Sequence, residues 1–292
     1  MTMDRIFILG GTGNIGTRLV QDLLKKKASI TLYSRNPSKV ASLFPDNDIH
    51  VIEGDIQDVN KLKDAMQGHT RLFLLLGIQP GFSKTKRVIS EFAYRASIKQ
   101  IVDISSITSG YPWRTTHVGD MYVESEKAIL DIPNRGTYVA LRPGRFMSNV
   151  LVFERLSPDG IIYDTADQDM LQGWISPNDI GSIVANILTD PIEKHGDGCY
   201  ELIGDTITPK QRADIFSRVL NRSVVYEQMS ALAKYNLLTK LGTAHLIAYD
   251  LCTQSSTRSP YDRVSTGIPI LLNRDPETFE QFVQQKKDLL AI

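Results

Sequence analysis

The opening stretch of the chain constrains its fold more than any other segment. Residues 6–9 form a short apolar run, Ile-Phe-Ile-Leu, which predicts a strand buried on both faces. Glycines follow at once at positions 10, 11, 13 and 16. The next residues place apolar side chains at helical spacing and charged side chains on the opposite side. Strand, glycine turn and helix in this order are the setting in which a turn binds the diphosphate of a dinucleotide.

Each glycine of this turn has its own steric role in such a site. Gly10 permits a tight exit from the strand, Gly13 lets the backbone approach a diphosphate, and Gly16 lets the helix pack closely on the sheet. Amides at the start of the helix then point at the phosphates from the positive end of the helix dipole. Glycine-rich turns also serve as plain connectors, but this position favours a cofactor. The predicted contacts are Gly10, Thr12, Gly13, Asn14, Ile15 and Gly16.

Composition argues against several other classes of protein. The 292 residues carry 33 Lys and Arg against 33 Asp and Glu, without a basic stripe, so nothing favours nucleic acid. The five histidines lack ligand spacing, so we expect no metal. Cys199 and Cys252 are expected in the core, in a reducing compartment. Because no apolar run reaches membrane length and no signal peptide precedes the first strand, we expect a cytoplasmic protein.

Strands and helices alternate along the first half of the chain. The predicted strands after the first are residues 30–34, 49–53, 71–77, 100–105 and 137–141, with helices at 38–44, 58–67 and 85–96. This order predicts an α/β fold with a doubly wound parallel sheet, right-handed crossovers and helices on both faces.

The remaining residues predict a smaller mixed α/β lobe. Its predicted elements are a helix at 175–188 that returns to the sheet, a strand at 200–203 and an amphipathic helix at 209–220. Residues 231–252 are unusually apolar; they complete the core of this lobe, line an apolar pocket or form a dimer contact. Asp275 is expected to cap the last helix, with Pro276 in its first turn. We predict a cofactor domain at 1–150 and a substrate region at 151–292, with about 174–204 packing back on the first domain.

The end of the second strand selects the cofactor. A site for NAD usually places an acid there, roughly 20 residues beyond the glycines, to hold the ribose 2′-hydroxyl. This chain has Ser34, Arg35 and Lys39 and no acid. A guanidinium can pair bidentately with a 2′-phosphate, and Ser34 and Lys39 can assist it. A solvated basic turn would have the same composition, but the position of this turn favours NADP(H).

Further cofactor contacts are predicted where other strands end. Asp55 and Ile56 follow the third strand and are placed to meet the adenine, although Asp55 could equally cap a turn. Leu76 and Gly77 follow the fourth strand and would pass beside the ribose. Ser105 follows the fifth strand near the expected nicotinamide position, although serines there also satisfy strand-end backbone groups.

Several motifs together resemble one family. They are Gly-Gly-Thr-Gly-Asn-Ile-Gly at 10–16, Ser-Arg-Asn-Pro-Ser-Lys at 34–39, Val-Asp-Ile-Ser-Ser at 102–106, Ala-Leu-Arg-Pro-Gly-Arg-Phe-Met-Ser-Asn at 140–149 and Trp-Ile-Ser-Pro-Asn-Asp-Ile at 174–180. Over about residues 4–230 the chain resembles the NmrA-like branch of atypical short-chain dehydrogenase/reductases. The resemblance implies a Rossmann domain that binds NADP(H) and a smaller C-terminal region that closes over the nicotinamide. Such members include quinone, isoflavone-type, imine and enone reductases, and also regulators that bind the dinucleotide without turnover.

The resemblance also implies contacts near the nicotinamide. In the matching segment, the backbone after Pro143 fixes the carboxamide and Phe146 lines the pocket. Met147 and Asn149 would face the substrate, although methionine also commonly fills a core. Trp113 lies in the loop after the fifth strand, where it could stack on an aromatic substrate.

The catalytic pattern departs from that of ordinary short-chain reductases. Those enzymes use Tyr-x-x-x-Lys, in which the lysine lowers the pKa of the tyrosine. Here Tyr122 is followed four residues later by Glu126, and Lys127 lies about 100° further round the helix. Glu126 is expected to raise the pKa of a nearby phenol. Tyr122 is therefore either a proton donor that need not ionise or a residue that packs on the sheet.

These observations predict an NADPH-dependent oxidoreductase, compatible with secondary metabolism, that reduces a small apolar molecule. The expected substrate is an aromatic or polycyclic carbonyl, quinone, imine or enone, and the protein mainly positions it and excludes water. Two alternatives stay open: an NADP(H)-sensing regulator without turnover, and a redox-neutral isomerase or cyclase with NADP as scaffold. The expected partner is this hydrophobic substrate, without nucleic acid or membrane, and a homodimer stays open.

Overall fold

The structure is a computed structural model that describes residues 4–45, 47, 49–253 and 263–290. The chain divides into two compact units, and each unit is made of three separate stretches of the sequence. The first unit runs up to Ser109 and also contains Met121–Arg142 and Pro177–Glu201. The second unit contains Gly110–Asp120, Pro143–Ser176 and the residues from Leu202 onward. This division differs from a single boundary at residue 150.

Within the described residues, the first unit is built on a seven-stranded sheet. The strands of the chain are β1 (Arg5–Leu9), β2 (Ser29–Ser34), β3 (His50–Glu53), β4 (Arg71–Leu74), β5 (Gln100–Ile104), β6 (Thr137–Pro143), β7 (Arg145–Phe146), β8 (Ile161–Asp164), β9 (Gln172–Ile175), β10 (Cys199–Leu202), β11 (Asp205–Ile207) and β12 (Val225–Gln228). The large sheet has the order β10-β6-β5-β4-β1-β2-β3, and β1 to β6 pair in parallel. The predicted doubly wound α/β class is confirmed.

Helices cover the segments between the strands. They are α1 (Asn14–Lys25), α2 (Pro37–Leu43), α3 (Val59–Ala65), α4 (Phe82–Arg95), α5 (His117–Leu130), α6 (Pro177–Thr189), α7 (Ile192–His195), α8 (Pro209–Leu220), α9 (Ala231–Lys240), α10 (His245–Thr253), α11 (Ile268–Leu272), α12 (Phe279–Gln285) and α13 (Lys287–Leu290). No helix among the described residues is long and apolar enough to span a membrane.

Two predicted helix starts are wrong. The helix expected from residue 175 begins at Pro177, because Ile175 still belongs to β9. Asp275 does not cap the last long helix. The cap of α12 is Thr278, whose side chain accepts the amide of Gln281 while the Gln281 side chain accepts the amide of Thr278. This reciprocal pair satisfies two amide donors at the helix start, which the Asp275-Pro276 pattern could not.

Close packing of α1 on α6 joins residues 177–201 to the first unit. A Cβ atom at Gly181 would lie 2.8 Å from the Ile15 carbonyl oxygen and 2.9 Å from the Leu19 nitrogen. Ser182, the next residue of α6, donates a hydrogen bond to Asp22 of α1 at 2.6 Å. Because α6 has no side chain at this contact, the two helix backbones approach closely and hold α1 in place.

The core of the first unit contains an ion pair that the sequence did not predict. Lys86 of α4 and Asp103 of β5 are both fully buried, with Nζ 2.7 Å from Asp103 Oδ1. Lys86 also donates to the carbonyl of Ile104, and Tyr138 donates to Asp103 Oδ2 at 2.8 Å. Buried charges are costly unless paired and hydrogen-bonded, and this pair meets both conditions.

The second unit is organised around Trp174 and a buried carboxylate. Its small sheets have the orders β11-β9-β7 and β12-β8. The guanidinium groups of Arg145 and Arg212 lie 4.5 Å and 5.4 Å from the Trp174 ring centre. Asp164 lies 2.8 Å from Arg145 and 2.7 Å from Lys234. Burial alone would raise the pKa of Asp164, but these cations and Arg212 hold it well below its usual range.

Two expectations about buried residues are not met in full. The apolar stretch 231–252 forms α9 and α10; no residue of α9 is buried, whereas α10 buries Ala248, Asp250 and Cys252. Completion of a core, one of the three roles left open, therefore does not apply to α9. This helix contributes Lys234 to Asp164 instead, while Leu241 is 73% exposed. Cys199 is exposed because β10 lies at the edge of the large sheet. Cys252 is buried as predicted.

Replacement of Gly181 by alanine is expected to destabilise the first unit. Overpacking costs about 1–3 kcal/mol, and the better helix propensity of alanine returns up to about 1 kcal/mol. Because two of the atoms that the added Cβ would meet belong to the backbone of α1, the upper part of the overpacking range applies, and urea unfolding should show a net loss of about 1–2 kcal/mol. Gly267→Ala is the control, since no atom lies within 4 Å of its added Cβ. Equal stability of both variants would contradict the packing described.

Candidate functional site

The glycine turn has the geometry of a phosphate-binding turn. Gly10 leaves β1 with φ +90°, a conformation that favours glycine, and its carbonyl accepts the amide of Gly13 at 3.3 Å. Gly13 is the N-cap of α1, and no side chain caps this helix end. The first turn of α1 contains no acidic residue. The amides at the start of α1 therefore present an uncapped, positively polarised helix end.

The glycines of this turn differ in the space around them. A Cβ at Gly16 would lie 2.1 Å from the Gly10 carbonyl oxygen, so this position must remain glycine for α1 to pack. A Cβ at exposed Gly13 would meet only that oxygen, at 3.6 Å. Protein packing therefore requires glycine at position 16 and not at position 13. Close approach of a ligand to Gly13 stays a prediction, and it would account for a glycine that packing does not require.

Arg35 and Asp55 meet at the carboxyl ends of β2 and β3. The Arg35 side chain is 80% exposed, and Nη1 lies 3.8 Å from Asp55 Oδ2. An exposed pair at this distance is weak, so Arg35 can turn to a phosphate at little cost. Ser34 accepts the amide of Asn36 at 3.2 Å. Lys39 in the first turn of α2 is exposed, so the predicted basic group is open to solvent.

The other predicted contacts of this edge lie at the ends of neighbouring strands. The Asp55 carboxylate accepts the amide of Gln57 at 2.9 Å, which is the turn cap that the sequence left open, and its Oδ2 faces Arg35. Ile56 is half-buried against the core, Leu76 is buried, and Gly77 is exposed with no atom near its added Cβ. Thr12 is half-buried and Asn14 exposed in the turn, whereas Ile15 is buried.

Ser105 belongs to a polar network around Glu126. Its hydroxyl donates to Glu126 Oε1, and Arg142 binds the same carboxylate with Nε at 3.0 Å and Nη2 at 2.5 Å. Ser109 lies 3.2 Å from Glu126 Oε1. The hydrogen bonds to Glu126 raise the pKa of Arg142. Sequence reasoning missed this network, although Glu126 stood at the position where a lysine was expected.

Tyr122 packs inside the first unit. Its ring contacts Phe82 edge to face, with centroids 5.2 Å apart, and the Lys86 ammonium lies 5.6 Å from the ring centre. Burial, and then the charge of Asp103, raises the pKa of Tyr122 to about 12. The charge that raises the pKa of Tyr122 is that of Asp103 and not, as expected, that of Glu126. Lys127 is exposed on α5. A role for Tyr122 as proton donor stays a prediction.

The remaining predicted residues belong to the second unit. Pro143 ends β6, and Phe146 is half-buried in β7, where it pairs with Ile175. Met147 is fully buried in the core of this unit, in keeping with the role of core filler. Asn149 lies 3.4 Å from Glu154, and Trp113 is 81% exposed. Among the described residues, no group of His, Cys, Asp and Glu is arranged to hold a metal ion.

Comparisons with known proteins agree with this geometry. A family model described as NAD(P)H-binding matches residues 10–191, which contain the glycine turn, Arg35 and Ser105. The chain is 22% identical to an NAD(P)H azoreductase of Xenophilus azovorans over 284 residues, covering 96% of each protein.

Solved structures of three proteins share the fold. The NADPH-dependent quinone oxidoreductase QOR2 of Escherichia coli, complexed with NADPH, matches with a TM-score of 0.81 and 24% identity, over 96% of this chain and 99% of that chain. The triphenylmethane reductase of Citrobacter sp., complexed with NADP(H), matches with a TM-score of 0.79 and 22% identity, over 98% of this chain and 100% of that chain. NmrA, a negative transcriptional regulator in complex with NADP, matches with a TM-score of 0.75 and 18% identity, over 98% of this chain and 95% of that chain.

Alanine at position 13 should separate ligand binding from folding. We expect Gly13→Ala to leave the free energy of unfolding within about 0.5 kcal/mol of wild type, because its Cβ meets only one atom at ordinary distance. NADPH affinity should fall at least tenfold. Gly16→Ala should instead lose about 1–3 kcal/mol of stability. Unchanged NADPH binding by Gly13→Ala would contradict the proposed phosphate position.

Reversal of the charge at position 35 tests the choice of cofactor. Loss of charge-assisted hydrogen bonds to a 2′-phosphate costs about 1.5–3 kcal/mol, so Arg35→Asp should lower NADPH affinity roughly 10- to 100-fold. NADH affinity should not fall, since NADH lacks this phosphate. Fluorescence titration measures both constants. Arg95→Asp makes the same charge change at an exposed position of α4 and serves as control. An unchanged ratio of the two affinities would refute the role of Arg35.

Proposed function

The chain belongs to the NAD(P)H-binding family, and we propose that it is an NADPH-dependent oxidoreductase of a small, apolar, conjugated molecule. This agrees with the NmrA-like resemblance of its motifs. One observation carries the cofactor assignment: an uncapped helix start behind a glycine turn stands beside an exposed Arg35, with no acid at the end of β2. A diphosphate and a 2′-phosphate are the groups that these two features bind.

The proposed substrate is an aromatic or polycyclic quinone, imine, enone or carbonyl, or a related conjugated double bond such as an azo group. The names of the azoreductase, the quinone oxidoreductase and the triphenylmethane reductase denote acceptors with unsaturated or aromatic groups. Such acceptors spread the charge that a hydride brings, so they need less help from an acid. This suits a chain with exposed Lys127 and with a pKa of about 12 at Tyr122.

In this proposal the chain contributes binding and orientation. NADPH supplies a hydride from C4 of its nicotinamide. The α1 amides bind the diphosphate and Arg35 the 2′-phosphate, while the strand ends at Asp55, Leu76 and Ser105 position the rest of the dinucleotide. Because its pKa lies far above neutral, the Tyr122 phenol stays protonated and can donate a hydrogen bond or a proton.

A regulator without turnover is the second candidate. The likeness to NmrA, a transcriptional regulator solved with NADP, favours it, and so does the missing Tyr-x-x-x-Lys pattern. A regulator that senses redox state must bind NADP and NADPH with unequal affinity. An enzyme must in addition oxidise NADPH when an acceptor is present. The two candidates therefore differ in the rate of NADPH oxidation in the presence of an acceptor.

Absorbance at 340 nm follows NADPH oxidation against a panel of a naphthoquinone, an azo dye, a triarylmethane dye, an enone and a simple ketone. We expect turnover with at least one conjugated acceptor and none with the ketone, because conjugation replaces acid assistance. Gly13→Ala controls for reduction outside the site, and its rate of NADPH oxidation should fall in proportion to its lost affinity when NADPH is held below the wild-type KM. Tight NADPH binding without oxidation by any acceptor, together with unequal NADP affinity, would favour the regulator.

A further inference from the structure

We propose that Glu126 and Arg142 hold the Ser105 hydroxyl as a hydrogen-bond acceptor for the amide NH2 of the nicotinamide carboxamide. The proposal rests on the proposed function, since it concerns the same dinucleotide. Glu126 and Arg142 are positioning residues in it, because they act through Ser105. The proposal also assigns a purpose to a glutamate that stands where ordinary short-chain reductases have lysine.

Arg142 fixes the Glu126 carboxylate. The guanidinium binds both carboxylate oxygens, through Nε at 3.0 Å and Nη2 at 2.5 Å, in the bidentate geometry that holds both groups rigidly. Glu126 is buried on α5, and Arg142 lies near the end of β6, next to β5. A buried carboxylate without this partner would be costly, so the two residues act as one neutral unit.

The direction of the Ser105 proton follows from this arrangement. An ionised carboxylate only accepts hydrogen bonds, and a serine hydroxyl has one proton and two lone pairs. The Ser105 hydroxyl donates its one hydrogen bond to Glu126 Oε1. Ser109 is within 3.2 Å of the same oxygen but lies closer, at 2.8 Å, to the carbonyl of Ser106. Ser105 is buried, and among the described residues none donates to its hydroxyl oxygen, so the lone pairs of this oxygen have no hydrogen-bond donor.

The position of Ser105 in the sheet indicates which part of the dinucleotide it would contact. Its amide donates to the Leu141 carbonyl at 2.7 Å, which extends the β5–β6 pairing to the carboxyl edge of the sheet. In doubly wound sheets dinucleotides bind at this edge. An oxygen without a free proton cannot stabilise a substrate oxyanion, but it can accept an N–H. The carboxamide amine is the N–H group that the reactive end of NADP(H) carries.

The test compares NADP with 3-acetylpyridine adenine dinucleotide phosphate, in which a methyl group replaces the carboxamide amine. Calorimetry measures the dissociation constants of both dinucleotides, so the readout does not depend on turnover. One neutral hydrogen bond corresponds to about a 5-fold change in affinity. The quantity compared is the NADP-to-analogue ratio, which is the dissociation constant of the analogue divided by that of NADP. This ratio should be about 5-fold higher for wild type than for Ser105→Ala.

Glu126→Gln tests the positioning role. A glutamine amide can donate to Ser105, which frees the serine to turn its proton outward and removes the preference for an N–H partner. The NADP-to-analogue ratio of Glu126→Gln should fall to that of Ser105→Ala. Glu124→Gln, an exposed site on the same helix, should keep the wild-type ratio. If Glu126→Gln fails to fold, the Ser105→Ala comparison decides alone.

The outcomes separate this inference from the proposed function. Equal ratios in wild type and Ser105→Ala, with NADP still bound, would overturn the inference and leave the cofactor assignment intact. A Ser105→Ala effect without a Glu126→Gln effect would overturn the positioning role. Absence of binding of either dinucleotide by wild type would contradict the proposed function itself, and the inference with it.

Discussion

The contact between the backbone of α1 and the turn before it is the constraint on which the site depends. A single methyl group at position 16 would come within 2.1 Å of the Gly10 carbonyl, so the helix start can lie this close only with glycine there. Another side of α1 meets α6 at Gly181, again without a side chain between the backbones. Glycine at both contacts thus fixes the direction of the helix, and with it the direction of its free amides.

The sequence predicted most of this unit because its evidence is local. Apolar runs mark the parallel strands, and the glycine spacing marks the turn, so the sheet class and the family follow from short segments. Sequence reasoning failed where a residue's role depends on a distant partner. Glu126 was interpreted from its neighbour Tyr122, whereas its charge is balanced by Arg142 on another element. Lys86 and Asp103 each interrupt an apolar pattern, and that interruption was the evidence that could have revealed their pairing.

Three buried carboxylates, distributed over the two units, each have a cationic partner. Asp103 is held by Lys86, Glu126 by Arg142, and Asp164 by Arg145 and Lys234. In the first unit these pairs surround the carboxyl end of β5, where directed hydrogen bonds matter for a ligand. In the second unit the Asp164 cluster attaches α9, which buries no residue of its own. Hydrophobic periodicity cannot predict such attachments, because the contact is made by one cation rather than by an apolar face.

The central claim is that the first unit binds a dinucleotide through its diphosphate and its 2′-phosphate. Calorimetric titration of the wild-type chain with NADPH, and separately with NADH, tests it most directly. We predict that each chain binds one NADPH, at least tenfold more tightly than NADH. No heat of association with NADP or NADPH across a range of temperatures would contradict it.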